Sequence, residues 1–247
     1  MLTLDKQPEN DLFRLGSFWQ LNKRVNGYAH EIGNVIATQA SEGRSFEVIG
    51  FPVMIGNDYS GDSLKVRLLE DGYICWFKIQ DLLGQVSKGR FIQNRLLSYK
   101  EISTRIVDVL NWIEKCATQP NKYLWGGTVG PDFDCSGLVQ AAFSTQGIWL
   151  PRDAYQQESF CKTLPVHHDD LEGLCPGDLL FFGTSTSCDH VGVYKGNGAY
   201  WHSSGKEHGR NGIGSDKFNH DQNNPVASYY RAHFRGAGRV ECCHDGT

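Results

Sequence analysis

An α+β fold is predicted for this chain: a small β-barrel first, then a larger domain whose helices precede an antiparallel sheet. Three observations predict it. Between about Phe18 and Leu83, short runs rich in β-branched and aromatic residues alternate with turn residues. From Glu101 the period changes, with apolar residues at Ile102, Ile106, Val109, Leu110, Ile113 and Cys116, the spacing of an amphipathic helix. After Cys175-Pro176-Gly177-Asp178 the pattern returns to short strands.

The elements follow in order. Residues 1–14 are polar and read as a loosely held tail. Residues 15–84 hold the expected strands Gly33–Ala37, Ser45–Gly50, Pro52–Gly56, Ser63–Leu69 and Tyr73–Lys78, with tight turns at Asn57-Asp58 and Ser60-Gly61-Asp62. Five short strands in so little chain suggest a small barrel. Residues 85–100 form a polar connector, and 101–241 the larger domain. Its first helix runs from Glu101 to Cys116 and stops at Pro120-Asn121. A second begins at Cys135 and ends at Gly147. Strands are expected at Leu179–Phe182, His190–Tyr194, Ala199–His202 and Gly238–Glu241, and residues 242–247 read as a second tail.

Composition narrows the function. With 247 residues the chain can bury two cores, and its net charge of −4 gives no footprint for nucleic acid or a polybasic membrane surface. No apolar run approaches a membrane span. Met1–Asn10 has neither the basic nor the apolar stretch of a secretory signal, so the expected setting is the cytoplasm. There the eight cysteines (75, 116, 135, 161, 175, 188, 242 and 243) are expected as free thiols.

The chemistry gathers around Asp132-Phe133-Asp134-Cys135-Ser136-Gly137-Leu138. A cysteine at a helix start meets exposed N–H groups that favour its thiolate, and its own backbone N–H can face a developing oxyanion. Gly126 and Gly127 allow close backbone approach, and Tyr123 is a second oxyanion donor candidate. His190 and His202 fall on consecutive strands joined by Gly196-Asn197-Gly198, so His190 is read as the base toward Cys135 and His202 as its orienter. Asp134 opposes a neighbouring thiolate, so its presence calls for a reason: capping the helix, binding a positive charge on the substrate, or both at once. Trp125 is a candidate cleft wall. Arg152-Asp153 reads equally as a surface ion pair or as cleft lining. Cys188-Asp189-His190 and Cys242-Cys243-His244 lack the paired spacing of a zinc site, and Gly236-Ala237-Gly238 lacks the third glycine of a dinucleotide loop. No metal or cofactor is expected.

Tyr123-Leu-Trp-Gly-Gly-Thr128, Phe133-Asp-Cys-Ser-Gly-Leu-Val-Gln140, Leu150-Pro-Arg-Asp-Ala154, Pro176-Gly-Asp-Leu-Leu-Phe-Phe182, His190-Val-Gly-Val-Tyr194 and His202-Ser-Ser-Gly205 occur in that order. In this, residues 105–240 resemble the NlpC/P60 cysteine peptidases. Asp71-Gly-Tyr-Ile-Cys-Trp-Phe77 resembles the closing strand of a bacterial SH3-like domain. The combination is most similar to the γ-D-glutamyl-L-diamino acid endopeptidases, including the cyanobacterial type. The resemblance implies a papain-like fold and Cys135, His190 and His202 as the triad. It implies hydrolysis of the amide between γ-D-glutamate and a diamino acid, meso-diaminopimelate or L-lysine, in murein peptides during cell-wall recycling. It further implies that a free N-terminal L-alanine is held by Asp134 and Ser136, with help from Glu70 or Asp71 and Tyr73. Ser203 and Ser204 are further substrate-contact candidates. A related amidase or acyltransferase, or a non-catalytic cell-wall binding protein, is the rival reading.

Overall fold

The computed structural model describes residues 12–52, 62–167, 170–218 and 223–247. The N-terminal unit contains β1 (Phe18–Leu21), β2 (Val25–Tyr28), β3 (Ile36–Ala40), β4 (Ser45–Gly50), β5 (Ser63–Leu68), β6 (Ile74–Lys78), the short α1 (Ile79–Leu82) and β7 (Val86–Lys88). Its strands form one antiparallel sheet in the order β3-β2-β6-β5-β4-β1-β7. Strand β5 shows the rule that builds it: Leu64, Val66 and Leu68 are buried while Lys65 and Arg67 turn outward. The core also takes Phe13, from the expected tail, which packs edge-on to Trp19 at 5.0 Å. Residues 86–88, expected in the connector, pair with β1 and extend the sheet. The run 53–61, where a strand and turns are expected, lies outside the described residues.

The second unit opens with α2 (Tyr99–Ala117), which starts two residues before the expected helix because Ser98 and Glu101 cap it reciprocally. Next come α3 (Cys135–Ser144), α4 (Ala154–Phe160), β8 (Lys162–Leu164), β9 (Leu179–Gly183), β10 (Cys188–Gly196), β11 (Ala199–Ser204), β12 (Gly212–Lys217), α5 (Pro225–Ala232) and β13 (Phe234–Arg239). The six strands form an antiparallel sheet in the order β12-β11-β10-β9-β13-β8. Helices α3 and α4 pack on β10, where Val191 and Val193 join the helix-side core. A second core holds Phe182, Tyr200, Phe218 and Tyr230. Mixed α and β structure is therefore present as expected. Among the described residues, no helix is long and apolar enough to cross a membrane.

Polar contacts join the two units. Gln140 Nε2 donates to Asp71 Oδ2 at 2.9 Å, Thr128 Oγ1 donates to the Gln39 carbonyl at 2.5 Å, and the Arg44 guanidinium lies 4.9 Å from the Trp149 ring centre. Residues 242–247, expected as a tail, are packed into this seam. Cys243 is buried, the His244 N–H donates to the Trp149 carbonyl at 2.8 Å, and Asn94 Nδ2 donates to both Glu70 O and His244 O. Backbone hydrogen bonds hold the segment, which explains why its polar composition did not reveal the packing.

Candidate active site

Cys135 is the first residue of α3, and Asp134 caps that helix by accepting from the Gly137 N–H at 2.6 Å. Its Sγ donates to the Asp189 carbonyl at 3.8 Å, and the Val191 N–H points back at the sulfur. Cys135 therefore sits against the backbone on both sides of His190. The thiol is 5% exposed, and burial, followed by the Asp134 charge, pushes its pKa up to about 12. The N–H groups of Val191 and Ser136 and the Arg152 charge pull the other way without prevailing. Burial thus works against the thiolate that the helix start favours.

His190 reaches this position through a β-bulge. Cys188 pairs with Gly183 and His190 with Phe182, so Asp189 is the extra residue on β10 and re-aims the histidine that follows. His190 Nε2 lies 2.8 Å from His202 Nδ1, and His202 Nε2 lies 2.7 Å from Asp216 Oδ2. Burial drives the His190 pKa well below 6.5, with the His202 and His208 charges adding to it. Burial also lowers His202, outweighing its hydrogen bond to Asp216. Tyr230 orders both rings: it stacks on His190 at 4.1 Å, meets His202 edge-on at 4.9 Å, and shares a 2.7 Å hydrogen bond with the Ser204 hydroxyl. Gly192 makes the space, since a Cβ there would sit 2.8 Å from the Tyr200 ring and 3.3 Å from His202 Cβ.

Asp134 differs from expectation in its partners. Oδ2 accepts from the Gly126 N–H at 2.8 Å and Arg152 Nη2 at 2.5 Å; Oδ1 accepts from the Gly137 N–H, from Arg152 Nη1 at 3.2 Å and from Ser136 Oγ at 3.4 Å. Both oxygens already accept from buried donors, although Asp134 and Ser136 also line the cleft described below. Ser136 Oγ is held too, accepting from Arg152 Nη1 at 2.9 Å. Arg152 is 2% exposed and also reaches Thr38 Oγ1 on β3 at 3.2 Å, so it is a buried lining residue of the cleft and not a surface ion pair.

Glu70 and Asp71, candidates for amine binding, are turned into the seam: Arg44 Nε donates to Glu70 at 3.0 Å and its Nη2 to Asp71 at 2.7 Å. Ser203 and Ser204 are likewise buried, with Ser203 Oγ donating to the Phe133 carbonyl at 2.7 Å. Two anionic and two hydroxyl candidates thereby have structural partners. Tyr73 and Asp153 do border open space. The Tyr73 hydroxyl lies 3.5 Å from Asp153 Oδ1, and burial raises the pKa of both groups.

That space is a cleft of about 400 Å³ between the units, walled by Ile36 and Tyr73 on one side and Tyr123, Trp125, Cys135 and Asp153 on the other. Trp125 is 67% exposed and Tyr123 keeps its proton, its pKa raised by burial and by neighbouring Cys135 and Asp134. Gly126 lets the loop press against the first unit, where its φ of +78° and a Cβ only 2.6 Å from the Ile36 carbonyl would exclude other residues. Chemically, the arrangement gathers a thiol, a buried imidazole on the strand that thiol touches and a phenol bordering a cleft, groups that acyl transfer can use. Asp216 and Tyr230 escaped the sequence reading. Their only signal is register: Asp216 lies opposite Tyr200, two residues along from the partner of His202, and so on the same face.

Residues 120–239 match the NlpC/P60 family. Over 84 residues the chain is 43% identical to the gamma-D-glutamyl-L-lysine dipeptidyl-peptidase of Bacillus subtilis, covering 33% of this chain and 27% of that protein. Over 122 residues it is 32% identical to the murein DD-endopeptidase MepS/murein LD-carboxypeptidase of Escherichia coli, covering 49% of this chain and 58% of that one. The chain thus spans less than two thirds of the length of either relative. An NlpC/P60 family protein from Bacillus cereus superposes with a TM-score of 0.45 at 22% identity, over 92% of this chain and 64% of that one.

Proposed function

We propose, on the premise that residues 120–239 are a domain of the NlpC/P60 cysteine peptidases, that this chain cleaves the amide between γ-D-glutamate and a diamino acid in murein stem peptides with a free N-terminal L-alanine. The observation that carries the reading is the placement of Cys135 against the backbone flanking His190, with His190 bonded to His202. The name of the Bacillus subtilis relative supports the bond chosen. We read the second unit as papain-like and the N-terminal sheet as an SH3-like domain forming the other wall of the cleft.

The chemistry follows from a neutral pair. As Sγ of Cys135 attacks the γ-carbonyl carbon, its proton passes to His190 Nδ1, so no separated thiolate is needed beforehand. The oxygen, now negative, faces the Cys135 N–H and the protonated Tyr123 hydroxyl. His190 then gives the proton to the departing amine and the C–N bond breaks, leaving a thioester. Water loses a proton to His190, attacks the thioester carbonyl and releases the carboxylate, and the sulfur recovers its proton. Asp153, with Tyr73 beside it, holds the substrate ammonium, Asp134 being already paired with Arg152. A site selecting that free amine suits released peptides, which supports a role in cell-wall peptide recycling in the cytoplasm.

Mass spectrometry of L-Ala-γ-D-Glu-diaminopimelate and its lysine counterpart tests the proposal. Cleavage should release L-Ala-γ-D-Glu, vanish in Cys135→Ala, and fall about 10- to 100-fold when the alanine amine is acetylated, the loss of a charge-assisted contact. Turnover by Cys135→Ala would overturn the mechanism. Equal cleavage of the acetylated peptide would favour the related amidase or acyltransferase.

A further inference from the structure

We infer that Asp216, held by Arg210 and Asn224, is a positioning residue that sets the protonation pattern of both histidines and leaves His190 Nδ1 as the free base. The inference concerns how the proposed site is wired and rests on that reading for its catalytic meaning. Asp216 is 3% exposed on β12. Arg210 Nη2 lies between its oxygens, 2.6 Å from Oδ1 and 2.7 Å from Oδ2, and Asn224 Nδ2 donates to Oδ1 at 3.0 Å. The Arg210 guanidinium lies across Gly214, where a Cβ would overlap it. Donors on both oxygens leave no place for a carboxyl proton, so Asp216 is an ionised acceptor.

The rest is forced in sequence. Across 2.7 Å from an acceptor, His202 Nε2 must carry a hydrogen. A neutral imidazole has one, so His202 Nδ1 is a lone pair. It can only accept, which places a hydrogen on His190 Nε2 across the 2.8 Å contact. His190 Nδ1 is then unprotonated, on the ring edge opposite His202. Without Asp216 the two histidines could equally hold their hydrogens the other way, presenting Cys135 with an N–H instead of a base. Arg210 adds a second effect: by balancing the Asp216 charge it keeps the carboxylate from drawing a resident proton onto His202.

Long-range ¹H–¹⁵N spectra of the wild-type chain test the wiring directly, with both His190 and His202 expected in the Nε2–H form. In Asp216→Asn, the amide NH₂ should turn toward His202, because Arg210 faces both positions and the other orientation sets the NH₂ against Asn224 as well. That reverses both histidines. The expected result is a fall in kcat of about 10²-fold or more with KM within about threefold, since a wrong tautomer impairs proton transfer and not binding. In a His202→Ala background the same substitution should change kcat by less than about twofold, because its route to His190 is gone. An Nδ1–H signal on His202 in the wild type, or equal losses in both backgrounds, would overturn the inference. If the wild-type chain leaves stem peptides uncut, the functional proposal fails, and the spectra still decide the wiring.

Discussion

Replacing Arg152 with methionine should destabilise the protein far more than any exposed charge removal. Arg152 is 2% exposed and makes four hydrogen bonds: two to Asp134, one to Ser136 Oγ and one to Thr38 Oγ1. The pair is costly to bury, but half of it is costlier, because Asp134 would remain inside without its counter-charge. Losing one partner of a buried pair typically costs about 3–5 kcal/mol. For a chain of this size, that is a fall in Tm of about 6–20 °C. Arg67→Met is the control, since Arg67 meets Glu47 at 3.5 Å with its side chain 43% exposed, where about 1 kcal/mol or less is at stake. Adding Asp134→Asn to Arg152→Met should recover part of the loss by removing the stranded charge. Urea unfolding of the four proteins measures this. A loss under about 1 kcal/mol for Arg152→Met, or no recovery in the double variant, would refute the view that Asp134 serves Arg152.

The remaining predictions concern the cleft and the histidines. Asp153→Asn should raise KM for free-amine peptides by about 10- to 100-fold and leave cleavage of acetylated ones unchanged, as steady-state kinetics on both will show. The acid limb of kcat/KM should lie below pH 6.5, because buried His190 stays neutral where an ordinary histidine is protonated. The same depression makes folding stability decline as pH drops below about 6.5, since the unfolded chain takes up protons that folded His190 and His202 refuse; urea midpoints at pH 7 and 5 check it. Gly192→Ala should cut kcat by displacing the Tyr200 and His202 rings, with a Tm fall of several degrees, measurable by turnover and calorimetry.

What the sequence disclosed depended on how local the cause was. The period of α2, the N-cap at Asp134 and the alternation of β5 are written in neighbouring residues, and each is present in the structure. Strand β12 was illegible because Gly212-Ile-Gly-Ser-Asp-Lys217 has one large apolar residue; its strand exists through pairing with β11. With β12 unseen, Asp216 could not be placed beside His202. Asp134 is legible only in part, because its cap is local and its ion pair is not. Its neighbour in sequence, Cys135, suggested a clash of charges, while its partner, Arg152, lies on a different loop and becomes adjacent only on folding. Glu70 and Asp71 likewise look free in sequence and are tied to Arg44 in space.

Cys135 is 5% exposed at the cleft, and burial pushes its pKa up. Peroxide and alkylating reagents select thiolates that solvent can reach. Such reagents would meet Cys175 and Cys242, which are exposed, before the proposed nucleophile. On the proposed reading, burial would shield the sulfur that does the chemistry, while exposure leaves Cys175 and Cys242 open to reagents from solvent.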